Sequence, residues 1–329
     1  MTAPEISVVI PTFNRPDLLA VCLEGFARQD MALDRFEVVV VDDGSDAPLD
    51  AAVAPFRDRL DLRLERRPHR GVAAARNVGV VLARAPLLIL FDDDQSPLPG
   101  MVGRCIAFHA DEPGEGAFRL MRVAPQRDRP RDARSIAMFE RAMVFSFPRE
   151  GHDWSYGGFW GGAVTCKASI FRYGLYDETY GMAEDVELGL RIARWLPLRC
   201  CHDGVEDIAQ LRTLTVREMA RRWLRMAYFH LLWQRNYPGE VTVGELPVYR
   251  GADRTLAQGR DIAALAASLE EAADALGVLD AGALTPAQVA GLEDFLTGMR
   301  VLLNHCQAAG WVAARNDEPL DALLVRLLP

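Results

Sequence analysis

The stretch "LLILFDDDQSP", Leu87 to Pro97, decides how this chain is read. An apolar run suited to a buried strand stops at three consecutive aspartates, Asp92, Asp93 and Asp94, followed by turn residues. Adjacent carboxylates repel one another, so the run calls for a positive partner. Working outward, "EISVVIP" at 5–11 is a β-branched run closed by Pro11, and "FEVVVVDDGS" at 36–45 repeats the pattern of apolar residues ending in acids. Between them Leu18, Leu19, Cys22, Leu23 and Phe26 recur at helical spacing, which makes a β-α-β unit. "LDLRLER" at 60–66 predicts a shorter strand, and a helix is predicted from Val72 to Arg84. Apolar strands alternating with amphipathic helices specify an α/β fold with a mostly parallel sheet flanked by helices. Ligands of such sheets bind at the C-terminal strand ends, where Asp42, Asp43 and Asp92 to Asp94 are expected to share one crevice.

With 329 residues and 50% hydrophobic content, the chain can bury a large core. Its net charge of -9 disfavours nucleic acid as a partner. Six cysteines without CxxC spacing read as buried thiols of a reducing compartment. No leader-like start and no apolar run of membrane-spanning length is read, so a cytoplasmic protein is expected.

Residues 98 to 165 are less regular: "DEPGEG" and "APQRDRPRDARS" look like surface loops or a lid. A helix is predicted from Glu184, with Val186, Leu188, Leu190, Ile192, Ala193 and Trp195 on a broad apolar stripe. From Thr215 onward helices are predicted at 215–235, 255–277, 285–310 and 317–328. The expected organisation is one domain over 1–211, with a nucleotide-binding half at 1–97 and an acceptor half at 98–211, and a helical extension over 212–329.

Acids at strand ends have two natural tasks. They accept hydrogen bonds from a ribose hydroxyl or a base N–H, or they hold a hard divalent cation that also binds a diphosphate. "DDGS" alone reads equally well as a tight turn. "HRGVAAARNVG" at 69–79 adds Arg76, either a surface cation or a partner for phosphates.

Taken together, "SVVIPTFNR", "VVVVDDGS", "GVAAARNVG", "LLILFDDDQSP" and "YDETYGMAEDVELGLRI" resemble, in order and spacing, the family 2 glycosyltransferases of GT-A fold. The resemblance covers roughly 5–210 and implies metal-dependent, inverting transfer from a nucleotide-diphosphate sugar, UDP-linked, with Mg2+ or Mn2+ as cofactor. It assigns donor binding to Pro11, Thr12, Phe13, Arg15, Asp42, Asp43, Arg76, Asp92 and Asp93, and the metal to Asp94, with His202 as a further candidate ligand. It places the catalytic base at Asp185 with Glu184 as its neighbour. These acids open a predicted helix, whose dipole they also complement. Gly161 and Gly162 would let backbone approach the sugar, and Trp154, Tyr156, Phe159 and Trp160 are candidates for an acceptor platform or for core packing. Ala163, Val164 and Thr165 depart from the polar residues the family often carries there, so sugar choice does not carry over.

The helix at 215–235 interleaves five arginines with Met219, Trp223, Met226, Phe229, Leu232 and Trp233. It reads either as a packed helix or as one lying on the inner face of a membrane beside a lipid-linked or glycan acceptor; self-association is a further role for the tail. Met219 replaces the Gln of the synthases' QxxRW motif, which argues for nonprocessive transfer. Two other readings compete with this one. A sugar-nucleotide pyrophosphorylase needs a Gly-rich phosphate loop that "PTFNRP" does not supply, and a degenerate scaffold or glycan-binding protein sits poorly with the intact acids.

Overall fold

The computed structural model describes residues 3–124, 132–140, 159–201, 204–240, 243–280 and 284–329. Ten strands are formed: β1 Ile6–Thr12, β2 Phe36–Asp42, β3 Asp61–Arg66, β4 Leu87–Phe91, β5 Gln95–Pro97, β6 Ala117–Leu120, β7 Arg122–Ala124, β8 Ala163–Lys167, β9 Arg199–Cys201 and β10 Glu206–Gln210. Seven make one sheet in the order β3-β2-β1-β4-β8-β6-β9, and β5, β10 and β7 make a second, small one. In the large sheet β8 alone runs against its neighbours, so the sheet is mostly parallel, as expected. Every residue of β1 and β2 is buried, whereas β3, at the edge, alternates and carries charges toward solvent. That difference follows from position, since central strands of a covered sheet have two apolar faces and edge strands need charge against further pairing.

The chain divides into two units, Met1–Ala124 with Pro148–Arg212, and Pro125–Phe147 with Thr213–Pro329. The helices Pro16–Ala27, Val72–Leu82, Met101–Asp111 and Glu184–Ala193 belong to the first. The last of these buries Leu188, Leu190 and Ile192 but ends at Ala193, so Trp195, expected on its stripe, is left exposed.

In the second unit the helices Val216–Asn236, Ile262–Leu276, Pro286–Arg315 and Leu320–Leu327 enclose Met219, Leu224, Phe295, Met299 and Leu302. Thr215 with Glu218 and Thr285 with Gln288 form capping boxes that fix where the two longest helices begin. Residues 132–135, the end of the stretch read as a surface loop or lid, together with 136–140 that follow it, place Ala133, Ile136, Ala137 and Met138 in this core. Arg134 bridges to Glu270 at 2.5 Å and pairs with Asp274. Two arginines of the helix read either as packed or as membrane-facing have local partners: Arg221 donates to the Leu328 carbonyl at 2.6 Å and Arg235 to Asp317 at 3.0 Å. Met219, Phe229 and Trp233 of the same helix are buried. No helix among the described residues is long and apolar enough to cross a membrane.

At the N-terminal ends of the strands, away from the acids, buried Glu37 accepts from Ser7 Oγ at 2.5 Å and from both Arg84 N and Nε at 2.7 Å. Ser7 Oγ in turn accepts from Ala85 N at 3.0 Å. Removing the carboxylate orphans these buried groups, so Glu37→Ala is expected to lower stability by roughly 2–4 kcal/mol. Urea titration checks the magnitude, and binding at the opposite pole should be unchanged in the folded variant.

Candidate active site

The pairing of β1 with β2 sets Thr12 beside Asp42, so the two chains enter their loops level with one another. Thr12 Oγ1 donates to Asp93 Oδ2 at 2.7 Å, and Arg15 Nη1 donates to Asp93 Oδ1 at 2.8 Å. Asp93 is therefore turned inward and spoken for. Asp94 lies 3.7 Å from the same guanidinium. Asn14, at φ 55, is tied to the loop after β2: its N donates to Ser45 Oγ at 2.8 Å, and its side chain exchanges hydrogen bonds with Asp46. Pro11 is buried within β1, and Phe13 stands partly exposed between these anchors.

The two acids after β2 do different things. Asp43 accepts from Arg70 N at 3.0 Å and Gly71 N at 2.7 Å, and it holds the loop before the Val72–Leu82 helix, where Gly71 has φ 94. Asp42 Oδ1 accepts from Ser45 N at 2.9 Å, but its Oδ2 is buried without a hydrogen-bond partner, Arg66 Nε standing 3.6 Å away. A buried acceptor left this way is costly unless a ligand completes it. Of the two, Asp42 has the capacity to receive a donor N–H.

Arg76, read from sequence as a cation near the nucleotide, is instead almost wholly buried. Its Nη2 bonds Asp92 Oδ1 at 2.9 Å and its Nη1 pairs with Glu184 Oε1. Burial disfavours the charge, but the Asp92 and Glu184 carboxylates prevail and keep the guanidinium cationic. Burial, then the charge of Asp185, pushes the Glu184 carboxyl up to about 7, with Arg76 pulling the other way. Asp185 is only partly buried, with Oδ2 accepting from Gly161 N and Oδ1 from Val186 N, both at 2.8 Å. The residue before the pair, Ala183, has φ 61, a left-handed conformation that a side chain adopts at some cost and that turns the helix start toward the crevice.

Gly161 and Gly162 serve this cluster. A Cβ on Gly161 would stand 2.7 Å from Arg76 Cζ, and one on Gly162 would stand 2.1 Å from Asp92 Oδ2. Phe159 is fully buried, edge-on to Phe118 at 5.4 Å between centroids, and so belongs to the core. Trp160 is half-buried. Trp154, Tyr156 and His202 lie outside the described residues.

The acids suit a hard cation. Burial, followed by the charges of Asp92 and Asp93, pushes the Asp94 carboxyl up to about 6, against the opposing pull of Arg15 and a Gln210 hydrogen bond. Negative charge thus outweighs Arg15, and the donors are oxygen. Among the described residues no group of three His, Cys, Asp or Glu side chains is arranged around a common metal position, so ligand oxygens would have to complete a coordination shell.

The family model described as Glycosyl transferase family 2 matches residues 7–176. The chain belongs to this family. It is 33% identical over 235 residues to validoxylamine A glucosyltransferase of Streptomyces hygroscopicus subsp. jinggangensis, covering 62% of this chain and 55% of that protein. The chain thus spans about half the length of the curated relative it matches. Among solved structures, the mannosyltransferase PcManGT from Pyrobaculum calidifontis superposes with TM-score 0.58 at 20% identity over 97% of this chain and 89% of that one. Residues 1–349 of S. aureus TarS give TM-score 0.54 at 16% identity, over 95% and 92%. These likenesses establish the GT-A fold.

Two expectations follow. Gly162→Ala forces Asp92 away from Arg76 with little loss of core packing, and a displacement of about 1 Å at such a site costs on the order of 100-fold in rate. Loosening a buried ion pair also costs stability, so the melting temperature should fall as well, and the loss of nucleotide-sugar turnover should persist at temperatures where the variant is fully folded. The second concerns pH. Unfolded Asp94 has a reference value of 3.8 against about 6 when folded. Between these values the unfolded chain releases a proton that the folded one keeps, so the stability tied to Asp94 is present at acid pH and declines toward pH 6. Melting temperatures of Asp94→Asn and the parent, compared from pH 4 to 7, should show the variant gaining on the parent as pH rises.

Proposed function

We propose that this chain is a nonprocessive, inverting glycosyltransferase. It moves a sugar from a UDP-linked donor to an acceptor hydroxyl with the help of a divalent cation. The observation carrying this reading is the placement of Asp185: partly exposed and fixed by Gly161 N–H, it opens a helix joined by Glu184 and Arg76 to the first aspartate of the acidic run. A base and a donor-binding acid are thereby held on one rigid connection.

In this scheme Asp42 Oδ2 accepts an N–H from the donor's base, and Asp93, locked by Thr12 and Arg15, lies beside the ribose or sugar. Arg15, with 40% of its side chain exposed, is the accessible cation for phosphate oxygens. Asp94 would hold a Mg2+ or Mn2+ ion, whose charge would offset that of the departing diphosphate. Asp185 takes the proton of the acceptor hydroxyl as that oxygen attacks the anomeric carbon from the face opposite the diphosphate. The new C–O bond forms while the bond to the phosphate oxygen breaks, the electron pair leaves with the nucleotide, and configuration inverts. Glu184 stays paired with Arg76 and holds the helix start in place. Support for sugar transfer comes from the glucosyltransferase relative, and support for nucleotide and metal from structural neighbours: one described with GDP-Man and Mn2+, another, TarS, with UDP-GlcNAc.

Asp185→Asn should leave donor affinity within about twofold of the parent while turnover drops by roughly 10²–10⁴, the contribution of a positioned base. Calorimetry of UDP with and without Mn2+, paired with steady-state rates on a panel of sugar nucleotides, checks both halves. Normal turnover by the variant would move the base elsewhere. UDP binding indifferent to the metal would remove the cation from the scheme.

A further inference from the structure

His69 takes no part in the scheme above, and no sequence motif marks it. In the structure its ring stacks on Phe13, with centroids 4.3 Å apart and planes at 25°. Nδ1 lies 2.8 Å from Asp43 Oδ2 and 3.0 Å from the Asp43 carbonyl, two acceptors that fix the ring's orientation. Asp43 is itself immobilised by Arg70 N and Gly71 N. The backbone of His69 also sits directly over Gly44, whose Cβ position is only 2.7 Å from His69 N. Phe13 is anchored through its neighbours, Thr12 to Asp93 and to Asp43 N, and Asn14 to Ser45 and Asp46.

Two rings held by one connected hydrogen-bond network meet face to face, yet 57% of the His69 side chain and 38% of Phe13 stay open to solvent. A fixed aromatic surface of this kind is prepared for a flat ligand, because little entropy is lost when it is covered. The neighbouring strand end holds Asp42 Oδ2, a buried acceptor without a hydrogen bond, 3.6 Å from Arg66 Nε, with 1% of its residue surface exposed. A planar ring bearing an N–H, as a nucleobase does, satisfies both features at once.

We propose that His69 is a base-recognition residue of this enzyme: with Phe13 it forms the surface on which the donor's nucleobase packs, and Asp43 positions its ring for that contact. The inference rests on the donor-binding reading and adds a residue to it. Base–aromatic stacking is sequence-tolerant and substantial, so loss of the imidazole is expected to weaken nucleotide binding by about 5- to 100-fold.

The test separates contact with the base from support of the loop. Among UDP, GDP, dTDP and ADP, the diphosphate bound most tightly by the parent protein with Mn2+ is titrated into the parent, His69→Asn and His69→Phe. Ribose 5-diphosphate, which lacks a base, is titrated alongside. His69→Asn should lose affinity for the nucleotide by the stated factor and keep its affinity for ribose 5-diphosphate, whereas His69→Phe, which keeps a ring, should stay within about threefold of the parent for both. Unchanged nucleotide affinity in His69→Asn, or an equal fall for both ligands, would overturn the proposal while leaving the donor site intact. Failure of the parent to bind any nucleoside diphosphate would overturn the donor reading and this inference together.

Discussion

The buried guanidinium of Arg76 is the constraint around which the first unit's chemistry is arranged. It joins Asp92, at the end of β4, to Glu184, at the start of a helix roughly ninety residues later in the chain. A buried cation without partners is prohibitively costly, and so is a buried carboxylate such as Glu184; each makes the other tolerable, and the partly exposed Asp92 completes the pairing. Such a bridge contributes little net stability compared with apolar packing of the same volume. What it adds is geometric definition, since neither the acidic loop nor the helix start can shift without stranding a charge. The glycines at 161 and 162 follow from this, because the bridge occupies the space their side chains would need.

Much of the fold was legible because burial writes itself into periodicity. The apolar runs at β1, β2 and β4 and the helix between the first two were predicted where they occur, since a sheet covered on both faces makes its central strands mostly apolar. Residues 132–140 were not, because Arg134 and the flanking charges look like a solvated loop until Glu270 and Asp274, far along the chain, supply the partners. Trp195 was misplaced for a simpler reason: apolar periodicity does not announce where a helix without a glycine stop will end.

At the site, motif reading found the residues but not always the direction in which they act. Asp42 and Asp43 are indistinguishable in "VVVVDDGS", yet strand alternation sends one toward the crevice with a vacant oxygen and the other into the next loop's backbone. Arg76 looked like a ligand-facing cation because burial of a helix face cannot be read from "GVAAARNVG" alone. Small residues around it were the available signal: Ala73, Ala74 and Ala75 are consecutive and all buried, so this turn of the helix is covered over most of its circumference. His69 was hidden by the absence of any pattern that marks a stacking ring.

The chain passes between its two units three times, because Pro125–Phe147 is lent by the middle of one to the core of the other. During synthesis, Ala133, Ile136, Ala137 and Met138 leave the ribosome well before the helices of 213–329 that will cover them. The second unit is therefore discontinuous in time as well as in sequence. For that interval a greasy segment waits without a partner, and any ribosomal pause before residue 213 lengthens its exposure to chaperones and to other nascent chains.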